Sequence, residues 1–82
     1  MKEVREAIEQ RWVRRMLEAR DARAKGRKAA HLGNMAASAE LADLARDLGM
    51  EFDTSDNGAL MKRVVQLESE TEQAAQALGE DY

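Results

Sequence analysis

The stretch "GRKAAHLGN", residues 26–34, decides the fold, because its reading sets where one helix stops and the next begins. It carries two glycines, the residue type that ends helices most readily, beside a small basic cluster. Read as a connector, it places a helix stop at Gly26 and makes Asn34 or Ser38 the cap of the next helix.

Upstream, "KEVREAIEQRWVRRMLEARDARAK" contains strong helix formers and no breaker. At about 100° per residue, Val4, Ile8, Trp12, Met16 and Ala19 fall in one arc, widened by Val13 and Leu17, so residues 2–25 read as an amphipathic helix. Downstream, Ala37, Leu41, Leu44, Ala45 and Leu48 share a face opposite Glu40, Asp43, Arg46 and Asp47, giving a second helix over residues 35–48. Gly49 supplies the left-handed residue that closes it, with Met50 folding back in a Schellman stop. A third helix over residues 59–78 is expected from Leu60, Val64, Leu67, Thr71, Ala74 and Leu78, which alternate in steps of four and three, and Gly79 ends it.

Composition agrees with this all-α reading. The chain has 82 residues, 44% of them apolar, with no Pro and no Cys. One domain is therefore expected over residues 1–82, without a disulfide or thiolate metal site to reinforce it. Fifteen of its residues are Ala, which bury little area, so the core is expected to be thin. The expected architecture is a small three-helix bundle, or a helical hairpin with a long first helix. Against a 14-residue middle helix, a 24-residue first helix overhangs by about 15 Å. A second copy of the chain would cover that overhang, so a homodimer is expected. No run approaches a membrane span and the N-terminus has no signal-peptide stretch, so a cytoplasmic protein away from membranes is expected.

Between residues 51 and 60, "EFDTSDNGAL" resembles the front of a calcium loop, with oxygen-bearing Asp53, Ser55 and Asn57 ahead of Gly58. The twelfth loop position is Val64, which offers no oxygen. The stretch reads instead as a capping turn for the third helix. His31, the single histidine, reads as an exposed loop residue, and no nucleophile–base pattern surrounds Ser38, Ser55 or Ser69. Glu68 and Glu72 share a helix face but lack the accompanying His of a di-iron pattern. No catalytic residue, metal ligand or cofactor is expected, and the chain is not read as an enzyme.

Charge is divided unevenly. Residues 1–34 carry ten Lys or Arg against five Asp or Glu, and residues 35–82 carry three against eleven. The leading expectation is a small interaction module, an adaptor or inhibitor of a larger cellular machine, that binds another protein through charged helical surfaces. Its contact surface is expected at Arg11, Trp12, Arg15, Arg20, Arg23, Lys25, Arg27 and Lys28, since Trp and Arg dominate binding hot spots. For Trp12 the competing reading is core packing, which is favoured. Two alternatives remain: a nucleic-acid-binding regulator using the basic half, and an acidic nucleic-acid mimic that inhibits a nucleic-acid-processing enzyme. Nucleic acid is the less favoured partner, because Glu3, Glu6, Glu9, Glu18 and Asp21 interleave with the cations.

Overall fold

A computed structural model describes the backbone of residues 2–80 and the side chains of residues 2–73. Three helices succeed one another: α1 Lys2–Ala24, α2 Lys28–Asp47 and α3 Ala59–Glu80. The all-α, three-helix reading holds. The stops also hold: Gly26 and Gly49 both adopt positive φ, 72° and 78°. Each closes a Schellman motif, with Arg27 N–H on Ala22 O and Gly26 N–H on Arg23 O after α1. After α2, Met50 N–H donates to Ala45 O and Gly49 N–H to Arg46 O.

The connector is far shorter than its sequence suggests. α2 begins at Lys28, so "KAAHLGN" is its first two turns rather than a loop. Gly33 lies inside the helix, and Asn34 and Ser38 are interior residues, not caps. Asn34 Nδ2 donates to Ala30 O and Ser38 Oγ to Met35 O, each back-bonding within α2. Arg27, at the N-cap position, makes no side-chain capping bond, which is why no cap signal marks this start. His31 is half-buried rather than an exposed loop residue, with Nδ1 3.0 Å from Ala19 O of α1. A carbonyl only accepts, so this bond requires the proton on Nδ1. At its other end α3 runs through Gly79 to Glu80 instead of stopping at Gly79.

α1 is the centre of the molecule. α2 packs antiparallel along it, as the His31–Ala19 and Arg15–Asn34 contacts require. α3 returns parallel to α1: Glu68 pairs with Arg20, and one helical turn later Thr71 and Glu72 share a crevice with Arg23 and Ala24. Both α2 and α3 pack on α1, while no Cα of α2 comes within 8 Å of α3 among the described residues. The result is elongated, 50 × 28 × 21 Å, with a radius of gyration of 14.4 Å. A compact chain of this length has a radius of about 12 Å.

The core gathers Ile8, Trp12 and Val13 of α1, Ala42 and Ala45 of α2, Phe52 of the loop, and Leu60, Met61 and Val64 of α3. Trp12 and Phe52 meet edge to face, with ring centroids 6.2 Å apart. The thin core is bridged by small residues. Ala19, Ala22, Ser38, Ala42 and Ala45 are all buried, and α2 turns this small-residue face toward α1. That orientation corrects the expected apolar face of α2, for Leu44 and Leu48 are left 48% and 46% exposed.

The 15 Å overhang disappears with the longer α2. Helices of 23 and 20 residues differ by only about 4.5 Å at 1.5 Å per residue. The premise for a second chain covering the end of α1 is therefore removed. In the α3 seam, Leu60 and Val64 are buried, Leu67 is half-buried and Thr71 is exposed, its hydroxyl donating to Leu67 O. Ala74 and Leu78 lie outside the described side chains.

Candidate interaction site

The eight expected contact residues do not form one surface. For Trp12 the favoured reading holds and the contact role falls away: only 3% exposed and packed on Phe52, it belongs to the core, as an indole at the centre of the apolar arc should. Arg11 and Arg20 are nine residues apart on α1, about half a turn of the helix surface, so they face opposite sides. Arg20 looks toward α3. Arg11 looks away from it.

On the α3 side, Arg20 is engaged within the fold. Its Nε lies 2.7 Å from Glu68 Oε2 and its Nη2 3.1 Å from Oε1, a two-pronged ion pair between residues 48 apart in sequence. Hydrogen bonding to Arg20 holds the Glu68 carboxyl below its ordinary value, and the same bonds hold the Arg20 guanidinium above its own. Beside this pair the helices splay into a crevice of about 730 Å³ lined by Leu17, Arg23, Ala24, Thr71 and Glu72 among others. Lys25 is also occupied, 3.1 Å from Asp21 one turn back. Arg23, Arg27 and Lys28 remain at the α1–α2 turn, exposed and without an ion-pair partner among the described residues.

The opposite side has a more organised arrangement. Arg11, Arg14 and Arg15 form one wall of a groove of about 470 Å³ between α1 and α2, and Ala37, Leu41, Leu44 and Glu40 form the rest. Arg15 is held in place: its Nη1 donates to Asn34 Oδ1 at 3.2 Å, while Asn34 is anchored on Ala30 O. Glu18 lies 3.6 Å from the same Nη1. Arg11 and Arg14 are exposed and make no ion pair among the described residues. Leu44, 48% exposed, lines the same groove. Guanidinium groups beside an exposed leucine suit an amphipathic ligand with acidic and apolar groups at neighbouring positions.

Sequence reading included Arg11 and Arg15 but passed over Arg14, Ala37, Leu41, Leu44 and Glu40. For Arg14 the signal was present, since a spacing of three from Arg11 puts both on one face. The leucines were assigned to the core. Leu41 still packs against the core, and the turn of α2 onto its alanine side releases Leu44.

The acidic turn before α3 is a folding element. Ser55 N–H donates to Asp53 Oδ1 at 3.0 Å, and Gly58 N–H closes onto Ser55 O. The Ser55 side chain first, and its amide second, hold the Asp53 carboxyl below its ordinary value. A Cβ at Gly58 would stand 2.8 Å from Asp53 Oδ2 and push that carboxylate out of the turn. The Asp53 carboxylate is thus folded against the first turn of α3 within its own loop.

No helix among the described residues is long and apolar enough to cross a membrane. Compared with protein-family models, curated proteins and solved structures, the chain matches none.

Proposed function

We propose that this chain is a small non-enzymatic interaction module, acting as an adaptor or inhibitor, whose contact surface is the α1–α2 groove. The observation that carries this reading is the coincidence in one groove of Arg11, Arg14 and Arg15 with the exposed Leu44. Arginine is among the residues that carry most of the energy of protein–protein contacts, and an apolar neighbour supplies the surface that excludes water around it. The ligand class that fits is a helical protein segment with acidic residues flanking an apolar stripe. Nucleic acid fits the groove less well, because Leu44 offers nothing to a phosphate and Glu40 on the rim repels one. The surface of the molecule supports a partnered state: 6255 Å² is exposed, about a quarter more than the roughly 4,900 Å² of a compact 9.2 kDa monomer.

Amide chemical-shift mapping tests this directly. Titration with a synthetic helical peptide carrying Leu at heptad spacing flanked by Glu should move the resonances of residues 11–15 and 37–44 saturably, and binding should weaken with salt. Shifts confined to residues 23–28, or none at millimolar peptide, would remove the groove from consideration.

A further inference from the structure

The groove's best-matched ligand is on the chain itself. Resting on the reading of the groove as the contact surface, we infer that a second copy docks there, with the two α2 helices side by side and parallel about a two-fold axis running along them. α2 supplies the ligand chemistry. Ala37, Leu44 and Leu48 make an apolar stripe, and Glu40 and Asp47 lie farther around the helix on the side away from α1. The stripe is therefore flanked by the arginine wall of α1 on one side and by carboxylates on the other.

That arrangement decides the symmetry. A two-fold axis along α2 exchanges left and right but preserves height, so the arginine wall of each copy meets the carboxylate flank of its partner. Arg11 and Glu40 lie at nearly the same height along the antiparallel pair, as the Arg15–Asn34 contact sets it, and Arg14 follows about one turn along α1 in the same groove. They would pair across the axis twice over, with Leu44 meeting its own copy between them. An axis across α2 would instead set six arginines wall against wall. Val4, 42% exposed at the start of α1, lies at the same end of the antiparallel hairpin as Leu48 and extends the apolar stripe there.

The absence of cysteine makes the test clean, because each introduced thiol is the only one in its chain. Ala37→Cys and Leu48→Cys, prepared separately, should each form disulfide-linked dimers under mild oxidation at concentrations up to about 1 mM. An antiparallel pair would place these positions far from their own copies and would link only the mixture of the two variants; that result overturns the proposed symmetry. Glu40→Arg alone should return the parent to a monomer by sedimentation, and so should Arg11→Glu combined with Arg14→Glu. Mixing the two charge-reversed variants should restore a heterodimer, an outcome that loss of folding cannot mimic. A parent that stays monomeric by sedimentation, with cysteine variants that stay uncrosslinked, at every concentration overturns the second-copy inference. If it nevertheless binds the acidic peptide in the groove, the interaction reading survives; if it does not, both fall.

Discussion

Substituting Gly33 tests the feature on which sequence and structure differ most. The structure places it six residues into α2, exposed, with negative φ and nothing within 4 Å of where a Cβ would be. Gly33→Ala should therefore stabilise the chain by about 1 kcal/mol, the difference in helix propensity. For a domain of this size that raises Tm by about 4–8 °C. Gly33→Pro should do the reverse, because proline removes the amide that bonds to Ala29 O and sets its ring against that carbonyl, at about 3 kcal/mol. The chain has one escape, which is to unwind residues 28–32 and restart α2 at position 33. That route sacrifices the His31 contact with Ala19 O, so it too lowers stability. Total stability is expected at about 4–12 kcal/mol for 82 residues, so the proline variant forfeits a large share of it. Urea denaturation monitored by circular dichroism reads both variants, and hydrogen exchange at residues 29–34 locates the change. A proline variant within about 0.5 kcal/mol of the parent would mean that residues 26–34 are a loop after all.

Other substitutions examine the core and the ion pair. Trp12→Ala should lower stability by about 3–5 kcal/mol, whereas Leu44→Gln should stay within about 0.5 kcal/mol; equal effects would contradict the burial pattern. Ala45→Leu should destabilise by about 1–3 kcal/mol, because the position is fully buried against α1, and an unchanged urea midpoint would show that the two helices are not closely packed. Glu68 has a folded pKa below its unfolded value, so its contribution is present above the ordinary glutamate value of about 4.3 and is lost as pH falls through the lower folded value. Since Arg20 and Glu68 are each more than a third exposed at the side chain, the contribution is at most about 1 kcal/mol. The acid limb of the stability curve should be shallower in Glu68→Gln, and an identical limb would show that the pair contributes nothing.

Helix number and both left-handed stops were legible because they depend on local chemistry. Gly26 and Gly49 occupy positions that other residues adopt only with strain, and strong helix formers fill the segments between. The start of α2 was illegible for the converse reason: Arg27 gives no capping bond, and Gly33 is tolerated because packing on α1 outweighs its local penalty. The face of α2 was misread because a hydrophobicity pattern ranks Leu above Ala. Close helix approach ranks them the other way: Ala19 and Ala22 on α1 let it approach the start of α2, and Ser38, Ala42 and Ala45 let the rest of α2 approach α1. The candidate site was half legible. Its arginines are visible as a cluster in the chain, but which are already committed depends on Glu68, 48 residues away from Arg20.

The proposed self-association would draw its strength from the same surface. Val4, Leu44 and Leu48 are each a little under half exposed, so burying the remainder gains about 1 kcal/mol apiece, or roughly 6 kcal/mol for two copies. Loss of translational and rotational freedom costs at least about 4 kcal/mol. The Arg–Glu40 pairs lie at the rim, where each is worth no more than about 1 kcal/mol. A net of about 2–6 kcal/mol corresponds to dissociation constants from tens of millimolar down to tens of micromolar, so the dimer should be weak, salt-sensitive and readily displaced by an acidic helix that fills the groove better. Sedimentation at about 10 µM should find mostly monomer, with the average mass rising above 9.2 kDa as the concentration approaches 1 mM. A nanomolar dimer would refute the estimate and, with it, the groove as the interface, because affinity on that scale needs far more apolar area than α2 exposes.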